Sequence, residues 1–101
     1  MVKLIALYRK PSDPVAFDDA YLKTHIPLLN KIPKLRRVQL SRVTGAPRGE
    51  PEYYLIAELY FDNKATMDKA MASPENSEAG KNLMSFAKGL VTFAYAEETS
   101  T

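Results

Sequence analysis

The sequence predicts an α+β chain in the order β-α-β-β-α-β, with helices on one face of an antiparallel sheet. Three observations predict it. Four short stretches have strand-like apolar spacing, the first at Val2–Tyr8 and the last at Leu90–Ala96. Two longer stretches between them open on a capping residue followed by proline, Asp13-Pro14 and Ser73-Pro74. Within those two, side chains recur at helical spacing: Phe17, Tyr21 and His25 in one, Ala79, Leu83, Phe86 and Ala87 in the other.

Taken in order, Val2, Leu4, Ala6 and Tyr8 share one face of the first strand, and Lys3, Ile5 and Leu7 the other. Ser12 or Asp13 caps a helix from Pro14 to His25. Pro27 lacks an N–H and biases Ile26 away from helical geometry, so the helix is expected to end or kink there. Leu35–Val43 reads as a second strand at a sheet edge, its Arg36 and Arg42 discouraging further pairing. Thr44–Glu52, with two Gly and two Pro, is an exposed loop. Tyr53–Phe61 is apolar on both faces apart from Glu58, as a central strand would be. Glu58 fits three roles equally: a buried acid, a partner in an interface, or a rim residue. Asp62 or Asn63 caps a helix over Lys64–Ala72, Ser73 restarts one, and Gly89 stops it. This order is the ferredoxin-like plait. Its open sheet face is apolar in the first, third and fourth strands, which predicts a homodimer packed sheet against sheet.

Length and charge narrow the function. The 101 residues suit one domain, 1–101. Lys and Arg number 14 against 12 Asp and Glu, a net charge of +2. The densest cationic group, Lys31, Lys34, Arg36, Arg37 and Arg42, reads as a solvated face rather than a phosphate surface. The third strand lacks the basic-Gly-aromatic pattern of RNA-binding plaits, so no nucleic-acid partner is expected. No apolar run approaches membrane-spanning length, and no membrane partner is expected. The absence of cysteine rules out disulfide and thiolate chemistry and fits a reducing cytoplasm. One histidine and no cysteine make a metal site or other cofactor unexpected.

Candidate chemistry concentrates on the first helix. At about 100° per residue, Phe17, Tyr21 and His25 drift only about 40° per step and share one stripe. That stripe mixes an apolar ring, a phenol and the sole imidazole, with Thr24 beside it, which suits one wall of a small-molecule pocket. His25 would act as general base or acid, and Tyr21 would donate to a ligand oxygen. Tyr8, Phe17, Thr24, Leu28 and Tyr60 would line the substrate site. The structural alternatives stay open: an imidazole bonded to a backbone carbonyl, a core tyrosine with a satisfied hydroxyl, and Phe17 as plain core.

The run Tyr8-Arg9-Lys10-Pro11, Asp13-Pro14-Val15-Ala16-Phe17-Asp18, Tyr21 and His25-Ile26-Pro27-Leu28 resembles the signature of the EthD family, within the dimeric α+β barrel superfamily. Family members often carry Pro-Gly before the second strand, where this chain has Pro33-Lys34. The resemblance implies a ferredoxin-like plait, a barrel formed by two chains joined through their sheet faces, and a cavity between sheet and helices in each. Relatives in the superfamily include polyketide cyclases, lactone isomerases, cofactor-free monooxygenases and haem-degrading enzymes. The function expected is a metal-free enzyme of proton-transfer or oxygenase type. Its substrate would be a small hydrophobic or aromatic metabolite in catabolism. The alternatives are a non-catalytic carrier or accessory protein, and a haem-binding monooxygenase ligated by His25.

Overall fold

A computed structural model describes residues 1–100. Four strands, β1 (Val2–Tyr8), β2 (Arg37–Arg42), β3 (Leu55–Phe61) and β4 (Val91–Glu97), form one antiparallel sheet in the order β2-β3-β1-β4. The apolar β1 and β3 are central, as their two-sided apolar pattern requires, and the charged β2 lies at an edge. This is the ferredoxin-like arrangement.

Register decides which face each side chain takes. Val2, Leu4, Ala6 and Tyr8 stand opposite Phe61, Leu59, Ala57 and Leu55, and this set faces the helices. Lys3, Ile5 and Leu7 stand opposite Tyr60, Glu58 and Ile56 on the open face. Glu58 pairs there with Lys3 at 2.7 Å, both side chains about one-fifth exposed. The Arg37 guanidinium lies 4.2 Å from the Tyr60 ring centre. Of the basic group, Arg36 pairs with Asp62 and Arg42 with Asp18 and Tyr54, and all five cations are exposed.

The helices start where side chains can satisfy free N–H groups. Asp13 Oδ1 accepts from the Ala16 N–H at 3.1 Å, opening α1 (Pro14–Ala20). Asn63 Oδ1 accepts from Thr66 at 2.8 Å and opens α3 (Lys64–Met71). Ser73 Oγ accepts from Asn76 at 3.1 Å and opens α4 (Pro74–Ala87). Beyond α4, Gly89 takes the left-handed φ of +80° that ends a helix most cheaply in glycine.

The first helix departs from expectation. It neither ends at His25 nor breaks at Pro27. After α1 the chain widens into a π-turn, Tyr21–His25, in which the Ile26 N–H donates to the Tyr21 carbonyl five residues back. Helical structure then resumes as α2 (Ile26–Leu29) with Pro27 in its first turn, where a missing N–H costs little. After Pro33, Lys34 adopts φ +65°, the left-handed conformation that glycine takes without penalty. Strands β2 and β3 are each shorter than the sequence pattern suggests, β2 beginning at Arg37 and β3 at Leu55, although the Val43 N–H still donates to the Tyr54 carbonyl at 3.0 Å.

Candidate functional site

The π-turn sets the site. Its wider winding advances less per residue, so His25 comes to lie beneath Tyr21 with ring centres 5.1 Å apart. Phe17 stacks on the far side of Tyr21 at 5.7 Å. Tyr8, from the end of β1, meets Tyr21 edge-on at 5.2 Å. Phe86 of α4 closes the group, its ring 5.5 Å from Phe17 and 6.2 Å from His25. Burying each such ring contributes about 1.5–3 kcal/mol, so the cluster is core as well as site.

His25 is 3% exposed. Its Nδ1 lies 3.1 Å from Asn82 Oδ1. A carboxamide oxygen only accepts, so Nδ1 carries the proton and donates. The neutral ring therefore keeps its lone pair on Nε2. Burial holds the imidazolium pKa below its usual value, the bond to Asn82 partly opposing. The Tyr8 hydroxyl donates to the Tyr21 hydroxyl across a long 3.3 Å, leaving the Tyr21 proton for another acceptor. Burial pushes the Tyr21 pKa up to about 12 and raises that of Tyr8 further, so both phenols stay protonated.

These groups border a hollow of about 60 Å³ between sheet and helices, lined by Tyr8, Tyr21, His25, Leu29, Leu59 and neighbouring apolar side chains. That is room for a few water-sized groups. It opens beside a groove of about 670 Å³ between α4 and β4. Leu4, Asn76, Gly80, Leu83 and Phe93 border both spaces.

Tyr8, Tyr21 and His25 thus come together. Four other expected site residues do not line the hollow. Thr24 is exposed, because the slower winding of the π-turn leaves it on the outer side. Leu29 follows His25 at i+4 and takes the place expected of Leu28, which is half-buried elsewhere. Phe17 packs behind Tyr21 as core. Tyr60 belongs to the open sheet face, since the alternate residues Leu59 and Phe61 turn towards the helices. The hollow itself is far smaller than a porphyrin ring. Among the described residues, no three His, Cys, Asp or Glu side chains cluster as a metal would need. No helix among them is long and apolar enough to cross a membrane.

Asn82 is the residue of this candidate site that the sequence reading missed. It sits at i+3 from Ala79 and i−4 from Phe86, a polar break in the apolar stripe of α4, and that break was its signal.

Comparison with known proteins bears on the family and the fold. Residues 9–88 match the family model described as the EthD domain. An uncharacterised 11.0 kDa protein from the thcB–thcC intergenic region of Rhodococcus erythropolis is 36% identical over 98 residues, covering 97% of this chain and 95% of that protein. The crystal structure of an EthD family protein from Bacillus halodurans superposes with a TM-score of 0.93 at 45% identity, covering 98% of this chain and 99% of that one. SnoaB from Streptomyces nogalater, a cofactor-independent oxygenase, shares the fold with a TM-score of 0.69 at 14% identity, over 99% of this chain and 94% of its own.

Proposed function

This chain belongs to the EthD family, and from that premise we propose that it is a small homodimeric enzyme transferring a proton on a hydrophobic or aromatic metabolite. One observation carries the proposal: a buried imidazole, oriented by Asn82 through Nδ1, borders a hollow with its other nitrogen free of that bond. A structural histidine would need no hollow beside it.

The step balances as follows. Nε2 takes a proton from a carbon next to a ligand carbonyl, or from a phenol. The bonding electron pair stays on the ligand as enolate or phenolate. Nδ1–H keeps its bond to Asn82 and the ring becomes imidazolium. Tyr21, held protonated, donates to the oxygen on which charge gathers. Ring and aliphatic side chains hold the rest of the ligand. Return of the proton to a different carbon would complete an isomerisation. The same anion is also the species that dioxygen attacks in a cofactor-free oxygenation, the activity named for SnoaB. The dimer in this reading forms through the open sheet face, where Ile5, Leu7, Ile56 and Ala94 surround the Lys3–Glu58 pair.

The test is solvent deuterium incorporation into 4-phenyl-2-butanone, an aromatic ketone whose enolisable methyl ketone head stands clear of its ring, followed by proton NMR. Exchange above the buffer rate is expected, with His25→Ala reducing the accelerated part by about 10²–10⁴-fold, the span of general-base contributions. His25→Gln, closer in volume, separates loss of the base from loss of the fold. Undiminished exchange in a folded His25→Gln protein would overturn the assignment. Binding with no exchange in the native protein would make it a carrier.

A further inference from the structure

The groove between α4 and β4 has three features that packing does not explain. Phe93 and Tyr95 of β4 point to the helix side but are 50% and 65% exposed. Leu83 and Met84 of α4 form the opposite wall. Gly80 lies inside α4, where glycine is less favourable than alanine. No crowding demands it: a Cβ built there meets nothing within 4 Å. Yet Gly80 borders both the groove and the His25 hollow, so the missing side chain leaves the way between them open. Beside it, Lys81 lines the groove. Among the described residues no carboxylate lines that groove, and Lys81 is in no ion pair.

We propose that this groove binds an apolar, ring-bearing ligand with an acidic substituent: its rings lie on Phe93 and Tyr95, its anionic group meets Lys81, and its reactive end passes Gly80 to reach His25. The class follows from the walls. A mostly apolar cleft with one unpaired cation selects a hydrophobic acid over a neutral molecule of equal shape. The hollow is too small for a ring system, so the body of the ligand stays in the groove and only a carbonyl- or hydroxyl-sized head enters. This deepens the proposed function by naming the substrate class of that site, and its test needs no turnover.

The probes are 1-naphthaleneacetic acid and its neutral analogue 2-(1-naphthyl)ethanol, titrated calorimetrically and by NMR on the His25 ring protons. The acid is expected to bind native protein more tightly than the alcohol and to shift the imidazole signals. Lys81→Met should lower affinity for the acid about two- to fivefold, the worth of an exposed charge pair, without lowering that for the alcohol. Gly80→Leu and Gly80→Phe, whose side chains enter open space, should weaken both probes at least tenfold or abolish the His25 shift, with the thermal transition retained. Equal binding of acid and alcohol by native and Lys81→Met proteins would overturn the charge assignment. An unchanged His25 shift in folded Gly80→Phe would overturn the route past Gly80. A native protein that binds neither probe, and loses dimer on Gly80→Phe, would assign the groove to a second copy of the chain. A protein that binds as proposed but fails the deuterium assay would keep the ligand class and lose the catalytic reading.

Discussion

Two groups of aromatic rings flank α4, and they are treated in opposite ways. Tyr8, Phe17, Tyr21 and Phe86 interlock on the α1 side, with every ring edge-on to or stacked on another. Phe93 and Tyr95 on the β4 side meet no other ring and stand half or more in solvent. Their strands are neighbours in one sheet, and Ala6 is the direct partner of Phe93. The difference therefore lies in the cover and not in the sheet: α1, the π-turn and α2 lie over one side, while β4 lies at the edge with an open groove before it. Rings that hold a histidine in place must be rigid. Rings that are to receive a ligand, as proposed for Phe93 and Tyr95, must be left uncovered.

The sharpest way to break this comparison is truncation on each side. Phe17→Ala should cost about 3–5 kcal/mol of unfolding free energy, as for any fully packed ring. Phe93→Ala should stay within about 0.5 kcal/mol, as at a surface position. Urea denaturation of the two variants measures both, and similar losses would show that the β4 rings are core after all.

A second prediction sharpens the claim that the closed side holds a neutral imidazole. In the folded chain the His25 pKa lies below its ordinary value near 6.5, burial being the main cause. As pH falls through 6.5, the unfolded chain takes the proton first, so unfolding is favoured and stability declines until the lower folded pKa is passed. Above 6.5 both states carry a neutral ring and this contribution is flat. Thermal melts between pH 4.5 and 8 should show the decline in native protein and a smaller one in His25→Gln. Accelerated deuterium exchange should persist through that decline and be lost only as pH falls through the lower folded pKa, because Nε2 acts only unprotonated.

The smallest effect serves as a control away from both ring groups. Lys34 holds φ +65° in the turn before β2. Lys34→Gly should stabilise by about 1 kcal/mol by removing the left-handed penalty on a residue with a Cβ. It should leave ligand binding on either side of α4 unchanged. No gain in a denaturation series would count against the strained turn.

Much of this was legible in the residues. The strand order followed from alternation and the helix starts from Asp13, Asn63 and Ser73, because caps and periodicity are local signals. Tyr21 and His25 were readable as one face for the same reason. Where the structure places residues differently, the causes are nonlocal or subtle. Thr24 and Leu28 were misplaced because nothing in Tyr21-Leu-Lys-Thr-His25 announces a wider turn. Tyr60 was given to the pocket although the alternation of β3 puts it on the other face. Asn82 stands 57 residues from its partner His25, and only the folded chain brings them together.

The π-turn has one more consequence. A helix with a five-residue reach holds one residue more than a regular winding needs. Loss of a single codon between Tyr21 and His25 would restore an ordinary helix, leave the helix after it in register, and change the spacing that brings the imidazole under Tyr21. A plain structural helix and one that packs this imidazole beneath Tyr21 are thus a single genetic event apart, and a frame-preserving insertion is a short route from the one to the other.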